Sequence, residues 1–203
     1  KTTYALEGSV FVGGAAIQWL RDGLQMIKTA PQINRLAQSV EDNGGVYFVP
    51  ALSGLGAPYW DPYARGSIFG ITRGTTDAHL ARATIESIAF QVYDLVRAME
   101  ADAQEKSIEL RVDGGAAASN LLLQFQSDLF GFKIIRPENL ETIASGAAYL
   151  AGLAVGFSNS IDDIQSHWIV ENEFYPQADP KEVKKRLHYW HKAIRYSRNW
   201  LED

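Results

Sequence analysis

The residues with chemical potential in this chain cluster around two glycine pairs. The stretch Leu110-Arg111-Val112-Asp113-Gly114-Gly115-Ala116 reads as the end of a strand followed by a paired-glycine turn. The run from Ala117 to Leu129 then carries Leu122, Phe125, Gln126 and Leu129 at helical spacing. A strand that turns through glycines into a helix aims free backbone N–H groups at one point, which suits a phosphate or another polar ligand group. Gly114 and Gly115 also allow left-handed backbone and close approach of a second molecule, although such a pair can equally serve only a tight turn. The second pair, Gly13-Gly14, opens a helix predicted from Ala15 to Leu24. Gln18 lies one turn inside that helix, where it either reaches the side of the exposed amides or simply faces solvent. Asp113 is the acid nearest the first turn, and its expected role is to bond loop amides and hold the turn.

Other chemistry is missing from the sequence. There is no Gly-x-x-x-x-Gly-Lys-[Ser/Thr] phosphate loop, no His-Glu-x-x-His and no Gly-x-Ser-x-Gly. Gly54-Leu55-Gly56 lacks the third glycine of a dinucleotide fingerprint, and Pro58 follows where a helix should begin. His188 and His191 are close enough on the last helix to meet, but two histidines without a third ligand make a poor metal site. The chain has parts of a nucleotide site and no evident catalytic group.

The elements that must position these residues follow from periodicity and punctuation. Tyr4 to Phe11 is a candidate strand leading to Gly13-Gly14. A short helix is predicted over Ile33 to Val40, and a strand over Val46 to Val49, stopped by Pro50. Ser53 to Gly66 is a long loop of glycine, proline and aromatics, functional or pinned to the surface by Tyr59, Trp60 and Tyr63. A strand at Gly66–Ile71 precedes a long helix from Ala78 to about Ala103, capped by Thr76 or Asp77. Its apolar stripe is Ile85, Ile88, Ala89, Val92, Val96 and Met99, which leaves Arg82, Glu86 and Arg97 to solvent. Strands are expected at 108–112 and 132–136. A helix from Ile143 to Val155, rich in alanine and glycine, is suited to close packing against a sheet or helix. Ile161 to Trp168 reads as a short helix, and Glu171 to Pro176 as a connector. Lys181 to about Trp200 reads as a long final helix with Val183, Leu187, Trp190, Ile194 and Ser197 inward. The alternation predicts an α/β layer with parallel neighbours near residues 110 and 134, and a ligand beyond the carboxyl ends of the strands. Both glycine pairs would then face one cleft.

Composition bounds the class. At 203 residues, 46% hydrophobic and 21% charged, the chain is an ordinary globular protein able to bury a sizeable core. A net charge of -5 argues against a general nucleic-acid binder. The lack of cysteine rules out disulfides, thiolate metal sites and a cysteine nucleophile, and fits a cytoplasmic setting. No apolar run approaches the length that crosses a bilayer, and Lys1-Thr2-Thr3-Tyr4 is not a signal peptide. Without an initiator methionine, the start reads as a cut or processed end.

One further pattern is more specific. Gly66-Ser67-Ile68-Phe69-Gly70-Ile71, seven residues, His79-Leu80, and then Ala83-Thr84-Ile85-Glu86 resembles the second signature of the FGGY carbohydrate kinases. Tyr4-Ala5-Leu6-Glu7-Gly8, Gly54 to Pro62, Asp113-Gly114-Gly115-Ala116, Gln124 to Asp128 and Gly146 to Ala154 are similar to the glycerol-phosphorylating branch of that family. The resemblance covers almost the whole chain.

It implies a fold class of α/β type: residues 1–203 as the C-terminal, nucleotide-binding domain of the actin-like ATPase or ribonuclease H-like fold, truncated at its N-terminus and lacking its first hairpin. It also implies a cytoplasmic parent enzyme that is a homo-oligomer and transfers the γ-phosphate of ATP to glycerol, giving glycerol 3-phosphate, with Mg2+ held mainly by parts outside this chain. Gly14 and Gln18 match family positions that contact the nucleotide, ATP or ADP. Gly115 matches the glycine of the adenosine-binding turn, with Gly114 and Ala116 beside it. Ser119 stands where the family usually has asparagine, with Asn120 one place later, so the adenine-side contact there is expected to differ. The catalytic aspartate, the glycerol-binding residues and the phosphate turn would lie upstream of Lys1, so the chain alone is expected to be inactive, with exposed strand edge and apolar surface. Two alternatives remain at this level. The acceptor could be a pentulose or another polyol, or the chain could be a non-enzymatic module that docks a partner through the basic last helix, with Lys181, Lys184, Lys185, Lys192, Arg195 and Arg198.

Overall fold

The computed structural model of the chain describes residues 4–201; Lys1–Thr3, at the start judged above not to be a signal peptide, and the final two residues lie outside it. The element order is α1 (Gly14–Asp22), α2 (Gln32–Gln38), β1 (Tyr47–Val49), β2 (Ser67–Phe69), α3 (Asp77–Ala103), β3 (Glu109–Arg111), α4 (Asn120–Phe130), β4 (Lys133–Pro137), α5 (Thr142–Ala154), α6 (Ile161–Ser166), β5 (Val170–Phe174) and α7 (Pro180–Ser197). A 3-10 turn, Gly115–Ala118, joins β3 to α4.

β3 and β4 pair in parallel, Leu110 opposite Ile134, as the alternation predicts. β5 adds antiparallel to β4, giving the order β3-β4-β5. The segment read as a connector from Glu171 is therefore largely a strand. Its charged sequence, Glu171-Asn172-Glu173, hides the pattern because this edge strand leaves those side chains partly in water, while only Phe174 is buried. β1 and β2 form a separate antiparallel pair.

The long helix α3 is the scaffold. Thr76 and His79 form a reciprocal cap at its start, which satisfies N–H groups that the helix itself cannot. Ile85, Ile88, Ala89 and Phe90 are buried along it, and α2, α4 and β1 pack against it. At the centre Phe90 stacks on Trp190 of α7, with ring centroids 5.0 Å apart, and meets Phe125 of α4 edge-on at 5.2 Å. Such aromatic pairs contribute about 0.5–1.5 kcal/mol beyond area burial.

Three expectations are corrected. Tyr4–Phe11 forms no strand: an extended segment needs a neighbour for its backbone groups, and here it lies over α3 with Gly8 against Leu95 and Met99. The alanine- and glycine-rich α5 is not closely packed, and none of its residues is buried. It stands over an open groove of about 820 Å3, lined by Arg111, Pro137, Thr142, Tyr149 and Trp168 among others. Glu86 and Arg82 are not solvated. Glu86 is 1% exposed and accepts hydrogen bonds from Arg82 Nε (2.8 Å) and Asn43 Nδ2 (2.8 Å), with Arg186 at 3.8 Å. Burial pushes its carboxyl up, and the two arginines and Asn43 pull partly the other way. Arg97 likewise lies on the rings of Tyr93 and Phe130 rather than in open solvent.

The loop from Ser53 to Gly66 is pinned, though by different atoms than its exposed aromatics suggest. Trp60 is 71% exposed, whereas Asp61 is 3% exposed and accepts the N–H groups of Tyr63, Ala64 and Asn199. Tyr59 reaches Asp94 of α3.

Candidate nucleotide site

The turn after β3 is built as a shallow, side-chain-free floor. Val112 N–H extends the ladder to the Ile135 carbonyl at 3.0 Å, after which Gly114 reverses the chain at φ +77°, a region that only glycine occupies without strain. Gly115–Ala118 then make one 3-10 turn. Ser119 caps α4 by accepting the Leu122 N–H at 3.2 Å. Within the helix-prone run from Ala117 the chain first tightens into this turn, and the α-helix opens at Asn120, next to the start expected near Ser119. A Cβ placed on Gly114 or Gly115 meets nothing within 4 Å, so the space beside both is open to a ligand. The N–H groups of Gly115 and Ala116 have no acceptor among the described residues. Gly115 is exposed, Gly114 and Ala116 are half-buried, and Ser119 is buried.

Asp113 does not hold this turn. It is exposed and makes no hydrogen bond among the described residues. The Gly114 N–H instead bonds the Leu140 carbonyl at 2.9 Å. Beneath the turn lies Arg136, at the end of β4 and only 7% exposed. Its Nη1 donates to the Ala117 carbonyl (3.0 Å) and to Asn120 Oδ1 (2.8 Å). Its other side forks onto Glu171 of β5, with Nη2 3.0 Å from Oε1 and Nε bonded to Oε2. Sequence reasoning missed Arg136. The only signal was a second cation, after Lys133, at the end of an otherwise apolar strand.

The second glycine pair opens α1 as predicted, but no strand precedes it. Gly14 and Gln18 lie four apart on the exposed side of α1, while Ala16 and Leu20 are buried. The Gly14 and Ala15 N–H groups have no acceptor among the described residues. No hydrogen bond among the described residues runs from α1 to the turn after β3. The link is through the core: Ile17 and Leu20 of α1, Ile33 and Leu36 of α2, and Ala116, Leu122 and Leu123 share one apolar cluster. Asn34 of α2 also bonds Ser119 directly.

Acid–base chemistry is not assembled at this site. Among the described residues no group of three or more histidines, aspartates and glutamates could hold a metal ion, so these residues do not by themselves fit Mg2+. His191 is used elsewhere, with Nε2 2.8 Å from Asp94. No helix of the described residues is long and apolar enough to cross a membrane.

The chain matches the model for the FGGY family of carbohydrate kinases, C-terminal domain, over residues 1–155. It is 63% identical to glycerol kinase of Dichelobacter nodosus over 203 residues, which is 100% of this chain and 41% of that protein. It is 59% identical to glycerol kinase of Parabacteroides distasonis, covering 100% of this chain and 40% of that protein. The chain thus spans about two-fifths of the length of these curated relatives. Among solved structures it superposes on Plasmodium falciparum glycerol kinase with ADP at a TM-score of 0.84 and 34% identity, over 94% of this chain and 38% of that one. A ligand-bound xylulose kinase of Lactobacillus acidophilus matches at 0.72 and 26% identity, over 92% and 38%. The fold is that of the C-terminal domain of the sugar kinases, the actin-like ATPase type, and the chain belongs to the FGGY family of carbohydrate kinases.

Proposed function

We propose that residues 1–203 form the adenosine-binding portion of an ATP-dependent glycerol kinase, which transfers the γ-phosphate of ATP to glycerol to give glycerol 3-phosphate in the cytoplasm. The observation that carries this reading is the Gly114–Gly115 floor, open beside both glycines and edged by amides without acceptors. Such a floor suits a flat nucleoside that must approach backbone closely. Gly115 and Ala116 lie under the nucleoside, Gly114 makes the reversal, and Gly14 with Gln18 supplies a second wall from α1. Identity of 63% and 59% to two glycerol kinases supports glycerol as the acceptor over a pentulose.

In this reading the chain contributes binding and orientation, and proton transfer belongs elsewhere. Mg2+ would be held with the phosphates mainly by parts outside these residues, where it would neutralise charge on the transferring group. The intact protein should phosphorylate glycerol in an ATP-dependent assay and ignore D-xylulose. The 203-residue chain alone should bind ADP without turnover, since in this reading the base and the acceptor site lie outside it. Robust glycerol phosphorylation by the chain alone would overturn the division of labour. Failure of the intact protein to bind ADP would overturn the nucleotide assignment and favour a docking role for the basic face of α7.

A further inference from the structure

The hydroxyl of Ser119, at the edge of the turn, is already committed. It accepts the Leu122 N–H and donates to Oδ1 of Asn34 at 2.5 Å. The partner arrives from α2, 85 residues earlier in the chain, and is half-buried. The separation fits an O–H···O bond and is short for N–H···O, so the hydroxyl faces the carboxamide oxygen and turns Nδ2 away from Ser119. The Nδ2 group of Asn34 has no acceptor among the described residues, and Oδ1 keeps a second lone pair. A carboxamide with fixed orientation, one free donor group and one free acceptor lone pair therefore stands beside the nucleoside floor.

We infer that Asn34 is the base-recognising residue of the nucleotide site and that Ser119 is its positioning residue. The inference rests on the nucleotide reading given above. A carboxamide of this kind complements adenine, donating from Nδ2 to N7 and accepting the 6-amino group on Oδ1. Guanine would set its O6 against Oδ1, acceptor against acceptor, so the pair favours ATP over GTP.

The test is steady-state kinetics of the intact protein with ATP and GTP, together with ADP titration. Asn34→Ala should raise the ATP KM about tenfold, the size expected for one lost hydrogen-bonding group, and lower the ATP-over-GTP preference by a similar factor, with kcat within about twofold. Asn34→Asp, which keeps the shape but removes the donor, should raise the ATP KM at least as much. Ser119→Ala should raise the ATP KM by about threefold through loss of orientation, and Ser119→Thr, which keeps the hydroxyl, should restore most of it. Gly115→Leu is the control for the underlying reading: it fills the open space and should abolish ADP binding. If Gly115→Leu abolishes binding while both Asn34 variants keep wild-type ATP KM and base preference, the role of Asn34 is overturned and the nucleotide site stands. If Gly115→Leu leaves ADP binding intact, the site itself is misassigned and the role of Asn34 falls with it. Asn34→Asp is close to isosteric, so it gives the reading even if Asn34→Ala does not fold.

Discussion

The guanidinium of Arg136 lies 3.0 Å from the carbonyl of Ala117, so a nearly buried cation on β4 holds the floor of the proposed nucleotide site from below. Three elements meet there, because the same group bonds Asn120 at the start of α4 and forks onto Glu171 of β5. Lysine keeps the charge but not the planar fork. Arg136→Lys should therefore destabilise the chain by about 2 kcal/mol, the value of a charged hydrogen bond lost, and weaken ADP binding several-fold. Urea unfolding and ADP titration check this. Unchanged affinity in a folded Arg136→Lys variant would show that the turn holds itself.

Asp94 ties the loop before β2 and the last helix to α3. Its Oδ2 accepts Tyr59 Oη and Trp190 Nε1, each at 2.6 Å, and its Oδ1 faces His191 Nε2 at 2.8 Å. Burial and the Asp94 charge push the Tyr59 phenol well up from its ordinary range. Tyr59→Phe should cost about 1.5–3 kcal/mol, whereas Asp94→Ala should cost more, since it strands the buried Trp190 N–H as well as the half-buried Tyr59 hydroxyl. The double variant should fall short of the sum, because the Tyr59 hydroxyl has no partner left to lose. Denaturant midpoints for the four species decide it, and strict additivity would contradict the shared acceptor.

Asp61 sets an acid limit on the same loop. Burial would raise its carboxyl, but the N–H groups of Asn199, Tyr63 and Ala64 and the charge of Arg198 outweigh that and hold it below the usual carboxylate range. With the folded value below the unfolded one, the unfolded chain binds the proton more readily. The stabilisation is therefore complete above the unfolded value, about 3.9, and is lost as pH falls through the folded one. Asp61→Asn should narrow its stability gap to wild type below about pH 4 and keep it constant from pH 5 to 8. Unfolding midpoints across that range test the sign.

The helix α5 and the segment after it leave Ile143 (90%), Leu150 (71%), Val155 (81%) and Phe157 (86%) exposed. Apolar surface of this kind drives association when nothing covers it. The 203-residue chain alone should therefore self-associate in light scattering, and Ile143→Glu with Phe157→Glu should suppress that while changing the unfolding free energy by no more than about 0.5 kcal/mol. Persistent association of the double variant would point to another face, the open edge of β3 first.

What the sequence by itself determined was local in origin. The periodicity of α3 and α7, the Gly114 reversal and the parallel β3–β4 neighbours follow from hydrophobic spacing and glycine chemistry within short windows, and all are present. The family signature from Gly66 to Glu86 was legible for the same reason. What only the tertiary structure decided was which distant groups meet. Glu86 looked solvated because its partners Asn43 and Arg186 lie far away in sequence. β5 looked like a connector because an edge strand need not alternate cleanly. Arg136 beneath the Ala117 carbonyl, and Asn34 beside the Ser119 hydroxyl, are contacts made by the packing of α2, α4 and β4, and no local pattern encodes that meeting.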